Sequence, residues 1–498
     1  MNRKHIHRGR PCALATAVIL SGIVAPPLLD ASTLVVDAAG GTPYQTIQSA
    51  ISAAVPGQDD VLVRCGLYVE NIVMQDQVSV TGENPNCTIV DGSASGTVVT
   101  MNGVDTGTVL QGFTIRNGSA ARGGGIFVQS GSPVITRNVI RDNAAIDNGT
   151  FNSGYGGGIH VTSPAGLQSS GLTAPLITRN VIIFNTADHF GGGIEIYADD
   201  GTTVANNLFE ENTAEDAGGA VDIYQSAPTL INNTIVRNCL QSGAPVACSL
   251  GGGGIAITNS GGVKTSNNVV SWNEALVGGG GVDVVTSAVG VQFEANDVWA
   301  NVPANYAFDD GTSDPTGGSG NISTDPLFVD QLIGNLLSYQ PRSDSPLVDG
   351  GLGNLATPPG VDLPGILRPL DGDAEGTAQV DIGVRENEGI TRLKFDSGAD
   401  LSWDAGAPPA PAAGYDYNLY RGDLASLRAT GVYMQNPAVD PGARQWCAQA
   451  LTTRSDVDLP VAGQVLFYLV VVADVVEGTL GFDSSPAQRP ATPANQCP

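Results

Sequence analysis

One device recurs six times in this chain and constrains its fold more than any other feature. An asparagine is followed five residues later by a second one: Asn138/Asn143, Asn180/Asn185, Asn207/Asn212, Asn233/Asn238, Asn268/Asn273 and Asn296/Asn301. Two residues after each first Asn stands an apolar residue: Ile140, Ile182, Phe209, Ile235, Val270 and Val298. A glycine run then precedes an aliphatic residue at Ile159, Ile194, Val221, Ile255 and Val282. Successive first asparagines lie 42, 27, 26, 35 and 28 residues apart. A base period of about 27 with tolerated insertions marks a stacked repeat protein. Within the repeats, Ile194-Glu195-Ile196-Tyr197 and Val221-Asp222-Ile223-Tyr224 alternate apolar and polar. That is the period of a strand, and no repeat carries a helical stripe. Glycine and asparagine at the corners are expected to supply the left-handed backbone angles of tight turns. Short strands joined by such corners and stacked about 4.8 Å apart make a parallel β-helix. The asparagines should then form ladders, each bonding to its equivalents above and below.

The chain has 498 residues, with 49 Asp+Glu against 22 Lys+Arg and a formal net charge of -27. Such a field repels nucleic acid and anionic membrane, which are excluded as main partners. It also disfavours polyanionic substrates unless a cation bridges them. Arg3, Lys4, Arg8 and Arg10 precede an apolar stretch from Ala13 to Leu29, the pattern of a signal peptide over 1–31. No later apolar run approaches the roughly 18 residues of a membrane span. The expected product is a monomeric secreted protein, extracellular or at a cell surface. Its six remaining cysteines fall into three local pairs: Cys65 with Cys87, Cys239 with Cys248, and Cys447 with Cys497. In an exported chain such pairing favours disulfides over metal ligation.

Residues 43–57 read as a capping helix, with Ile47, Ile51 and Val55 on one face, Thr42 as cap and Pro43 in its first turn. It would cover the first coil, otherwise an open sheet edge. The next segment, "VLVRCGLYVENIVMQDQVSVTGENPNCTIVDG", resembles the N-terminal coils of the pectate lyase and pectin esterase superfamily. The "GGGI" and "FEEN", "IVRN" and "VSWN" elements resemble the repeats of polymorphic outer membrane proteins, which are surface adhesins. These resemblances imply a right-handed β-helix over 32–323. "TDPLFVD" and "VDIGVRENE" resemble the choice-of-anchor segment of secreted β-helix proteins, although Gly383-Val384-Arg385-Glu386 departs from its usual Gly-Ala-Tyr-Glu ending. That segment, 324–388, is expected to close the last coil. From 389 to 498 alternating segments separated by Pro, Gly and Ala read as a β-sandwich. Trp403 with the "YDYNLYRG" strand resembles a fibronectin type III domain. The fold class is thus all-β, a right-handed parallel β-helix followed by a sandwich.

Stacking aligns the residue after each glycine-run aliphatic into an outward column: Phe127, His160, Glu195, Asp222, Ala256 and Asp283. Two residues on, the same face carries Tyr197 and Tyr224. In neighbouring coils Glu195 and Asp222 should stand roughly 5 Å apart. Carboxylates that close raise one pKa or attract a cation, and they suit acid and nucleophile roles in retaining glycoside cleavage. Flat tyrosines suit sugar faces. The candidate ligand site is therefore His160, Glu195, Tyr197, Asp222, Tyr224 and Asp283, with Glu195 and Asp222 as catalytic candidates. His189 stands in the corner before the same strand. The superfamily's catalytic signatures are not found: no Gly-His-Gly or Arg-Ile-Lys, and no arginine in the column, Arg122 standing in an earlier corner. No cofactor is required, although Asp371, Asp373 and Glu375 could hold calcium. A non-catalytic module binding polysaccharide or another cell surface is the favoured reading. A polysaccharide lyase or glycoside hydrolase acting on this face is the alternative.

Overall fold

The computed structural model describes residues 32–150, 152–163, 174–239, 248–285, 288–309, 311–335, 338–342, 344–353, 360–366, 368–369 and 378–387, and the backbone of short strands between Leu393 and Pro490. Its body is a right-handed parallel β-helix. Ten strands from Thr33–Val36 to Gln292–Glu294 form one sheet. Nine from Ile72–Val73 to Tyr306–Phe308 form a second, here the trough sheet. Nine from Gly66–Val69 to Asp297–Trp299 form a third, the flank sheet. A four-stranded strip from Ser119–Ala120 to Thr213–Ala214 completes the coil. Neighbours in each sheet come from successive coils, as in Ile159↔Ile194↔Val221. About ten coils at about 4.8 Å make a rod some 50 Å long.

The inward residue of each strand builds the core. Ile126, Ile159, Ile194 and Val221 come from the trough sheet, Leu110, Ile135, Ile177 and Val204 from the ten-stranded sheet, and Ile140, Ile182, Phe209 and Ile235 from the flank sheet; all are fully buried. Each coil thus contributes apolar residues from three sides, and the stack is one continuous apolar interior.

The ladders are present at two corners of every repeat. In the first, the Asn180 side-chain amide donates to the Ile135 carbonyl and to Asn207 Oδ1, at 2.9 and 3.0 Å. Asn207 in turn donates to Ile177 and Asn233. The second runs Asn143, Asn185, Asn212, Asn238, Asn273 and Asn301 with the same bonding. Both extend further than the sequence pattern, to Asn321 and Asn305. The left-handed angle, however, falls one residue before each ladder asparagine. Arg179 (φ 57°), Phe184 (56°), Glu211 (54°), Arg237 (54°) and Trp272 (57°) adopt it. Such a backbone costs a non-glycine residue about 1–2 kcal/mol. The ladder offsets it by bonding corner groups that would otherwise be buried unpaired.

The helix spans Ile47–Ala53, shorter than 43–57, and its cap is Thr46 rather than Thr42. Thr46 accepts from the Ser49 amide, while the Glu70 carboxylate accepts from the Ile47 and Gln48 amides. Thr42 donates to the Tyr44 carbonyl instead. Ile47, Ala50 and Ile51 are buried, whereas Val55 lies outside the helix and is exposed. Among the described residues, no helix is long and apolar enough to cross a membrane.

Two of the three expected disulfides are present, Cys65–Cys87 and Cys239–Cys248, with Cα separations of 4.8 and 6.0 Å. The third expected pair, Cys447 with Cys497, falls outside what the described residues can show. Cys497 lies outside the described residues. Its expected partner, Cys447, stands in the strand Arg444–Gln449, which is described as backbone alone.

Described residues of the segment after 323 lie along the flank sheet. Tyr339, Leu347, Leu363, Ile382 and Val384 pack on Val181, Ile183, Leu208, Val236 and Val269. Outward aliphatic residues of the middle coils are therefore buried. Polar clasps fix the register: Asn206 and Asn232 donate to the Val361 and Asp381 carbonyls. Buried Glu210 pairs with Arg237 at 2.8 Å and accepts from the Tyr339 hydroxyl and the Gly334 amide. Beyond it, Leu393–Ser397, Asp400–Trp403 and Thr453–Ser455 form one antiparallel sheet. Tyr417–Asp423 pairs with Arg444–Gln449 and Leu466–Val472 in another.

Candidate functional site

The trough sheet places the column in the register its spacing implies. Phe127↔His160, His160↔Glu195, Glu195↔Asp222, Asp222↔Ala256 and Ala256↔Asp283 are direct cross-strand partners. So are Tyr197 and Tyr224, whose rings stack with centroids 5.6 Å apart and planes 2° from parallel. The expectation that the column is an open outward face is corrected. His160 and Glu195 are 2% exposed, Asp222 3% and Asp283 5%.

The glycine runs cause this burial. The first glycine of each run takes a left-handed angle and brings the corner back over the strand that follows. A Cβ on Gly191 (φ +66) would stand 2.7 Å from Glu195 Cβ. One on Gly218 (φ +67) would stand 2.6 Å from Asp222 Cβ. Only glycine leaves room for so close an approach. The residues just before the runs then rise beside the column. Tyr155, Phe190 and Ala217 form a continuous bridge ladder, with the Tyr155 and Phe190 rings 5.6 Å apart.

The result is a trough of about 600 Å³ that crosses several coils. Its floor is Glu195, Asp222 and Asp283, with Asp309 at the far end. Tyr155, Phe190, Leu250 and Val277 form one wall; Tyr197, Tyr224, Thr258 and Val285 form the other. Five of the six predicted ligand residues meet here. His160 does not line the trough: it lies beneath the stacked ring of Phe127, 5.6 Å away.

Burial governs the electrostatics. It pushes the Glu195 and Asp222 carboxyls well above the usual carboxylate range, and the Glu195 charge raises Asp222 further. Burial raises Asp283 to about 6, although the Gly279 amide donates to it at 3.1 Å. The same desolvation lowers His160 to about 3, so its ring is neutral near pH 7. At 3.7 Å from Glu195 Oε2 it makes neither an ion pair nor a hydrogen bond. Glu195 Oε2 and both His160 ring nitrogens are buried without a hydrogen-bond partner.

Arg122, set aside on coil count, is nonetheless felt. Its guanidinium lies 5.3 Å from the Phe127 ring centroid and opposes the rise at Glu195. His189 is a corner residue that joins Asp216 at 2.8 Å and Asp147 at 3.6 Å, and does not line the trough. Among the described residues, no three His, Cys, Asp or Glu side chains converge as a metal site. Asp371, Asp373 and Glu375 lie outside those residues. The sequence reading does not single out Tyr155, Phe190, Leu250 or Val277 as trough residues. The signal for the first two was available: aromatic residues directly precede the glycine runs at 156 and 191.

This is a right-handed parallel β-helix protein with an acidic, aromatic-walled trough. Residues 72–298 match the family model described as right-handed beta helix region. The structure is similar to that of the pectate lyase Pel9A, at 12% identity and a TM-score of 0.44, over 72% of this chain and 98% of that one. It is also similar to a pectin methylesterase from carrot, at 13% identity and a TM-score of 0.28, over 62% of this chain and 91% of that one. No curated protein matches the chain.

Proposed function

We propose that the trough binds a linear carbohydrate chain laid along the rod axis, in an exported protein whose later segments hold or present the rod. One observation carries the reading. Buried carboxyls and flat aromatic rings line a single elongated cavity, Glu195 and Asp222 on its floor and Tyr155, Phe190, Tyr197 and Tyr224 beside them. Sugar rings offer apolar faces to aromatic side chains and hydroxyls to polar ones, and cavities of a few hundred Å³ hold ligands of that size. The two disulfides fit an extracellular protein. The signal peptide over 1–31, the choice-of-anchor resemblance over 324–388 and the fibronectin-like resemblance over 389–498 belong to the same picture. So does a third bridge between Cys447 and Cys497. Peptide mapping of oxidised, exported protein tests it, and a free thiol at Cys497 would refute it.

The test of the site is binding of soluble oligosaccharides by calorimetry, after a glycan array has chosen them. Phe190→Ala and Tyr224→Ala should each weaken binding about tenfold, or 1.4 kcal/mol. Undiminished binding by both variants would remove the site from the trough.

A catalytic reading has one observation of its own: Glu195 and Asp222 are adjacent, buried carboxyls of raised proton affinity. A pair of this kind can act as acid and nucleophile on a glycosidic bond. New reducing ends from a bound oligosaccharide, abolished by Glu195→Gln, would establish it. A stable complex without cleavage would leave the protein a binding module.

A further inference from the structure

Among the described residues, the trough lining carries the carboxyls of Glu195, Asp222, Asp283 and Asp309 and no basic side chain. Glu195 Oε2 is unpartnered in a side chain 2% exposed. The cation felt at Glu195 is Arg122, beside Phe127 and two strands away. We propose that the ligand is an amine-bearing saccharide, a linear chain of amino sugars whose ammonium groups stand over Glu195 and Asp222 while their rings lie between the aromatic walls. The inference rests on the carbohydrate reading and names its substrate class.

Three alternatives fit the trough less well. A polyuronate would bring more negative charge to an acidic floor in a chain of net charge -27. A neutral glycan brings no charge to favour the carboxylate form, so the buried carboxyls stay protonated and gain no charge-assisted bond. A basic peptide carries its charge on long flexible stems. The walls instead hold rigid side chains, the Tyr197 and Tyr224 rings stacked 5.6 Å apart, which lose little freedom when a rigid sugar ring packs beside them. An ammonium over the floor gains charge-assisted hydrogen bonds to the carboxylates.

The experiment compares five hexamers on the full chain by calorimetry: glucosamine, N-acetylglucosamine, glucose, galacturonate and lysine. The glucosamine hexamer should bind at least about tenfold more tightly than the other four, and added salt should weaken it most. Glu195→Gln with Asp222→Asn should remove at least about tenfold of that affinity. Asp283→Asn, a milder change, should remove less and guards against a double variant that does not fold. Equal or tighter binding of the acetylated or glucose hexamer would overturn the amine and leave the trough a carbohydrate site. Tighter binding of the lysine hexamer would overturn it in favour of a peptide. Binding of no saccharide at all would bring down the carbohydrate reading itself.

Discussion

Two sets of buried polar side chains climb the same coils, and they are treated in opposite ways. The ladder asparagines are essentially inaccessible, and each of Asn180, Asn207, Asn233 and Asn268 bonds to a carbonyl below and an asparagine above. Glu195 and Asp222 are nearly as buried, yet Glu195 Oε2 has no partner. Satisfied polar columns fix the register of the stack. An unsatisfied polar atom instead raises the free energy of the fold around it. A buried column therefore discloses its role through its hydrogen bonds more than through its depth.

The largest effect should come from breaking the satisfied column. Asn207→Ala or Asn233→Ala should each cost about 1–3 kcal/mol, because corner amides and carbonyls lose their partners. Thermal or denaturant unfolding measures it. A change no larger than that of an exposed asparagine such as Asn148→Ala would show that the ladder does not hold the stack.

The buried carboxyl column should respond to pH instead. A carboxyl whose folded pKa stands above its unfolded value favours the fold while protonated. That contribution is present at low pH and is lost as pH rises from the ordinary carboxylate range through the raised value. For Asp283 the window runs from about 4 to about 6, and for Glu195 and Asp222 it extends higher. Each such proton tilts stability by up to about 1.4 kcal/mol per pH unit. Glu195→Gln with Asp222→Asn should flatten the slope and raise stability above neutral pH. An unchanged slope would mean that these carboxyls titrate normally.

His160 runs the other way. Its folded pKa of about 3 lies below the ordinary value, so its contribution is present above about 6.5 and fades as pH falls toward 3. His160→Phe, which keeps a ring against Phe127, should remove the acid loss. Retention of that loss would place its origin elsewhere. The smallest effect belongs to the tyrosine stack. Tyr197→Leu and Tyr224→Leu should couple by only about 0.5–1.5 kcal/mol in a double-mutant cycle, although each weakens ligand binding. A coupling near zero would mean that the rings act on ligand separately.

The asparagine spacing by itself determined the coil period, the two ladders and the cross-strand pairing of Glu195 with Asp222 and Tyr197 with Tyr224. It could do so because stacking turns sequence distance into spatial adjacency: residues one period apart become strand neighbours. The same logic paired Cys65 with Cys87, about one coil apart, whereas Cys447 and Cys497 lie beyond the repeats and no period speaks for them. Period-two alternation likewise settled that Ile194 and Ile196 point inward. Sequence could not decide what covers the other face. Only the tertiary structure shows the glycine corners curling over Glu195 and Asp222, since that depends on backbone angles at Gly191 and Gly218 rather than on any period. It alone raises Tyr155 and Phe190 into a wall, and it alone lays Tyr339, Leu347, Leu363, Ile382 and Val384 along the flank sheet. There Val181, Val236 and Val269 needed cover, and Tyr339, Leu363 and Ile382 supply it across long stretches of chain that no repeat connects. A repeat encodes its own neighbours; contacts between a repeat and a non-repeating segment are set by shape and burial, which the linear pattern does not carry.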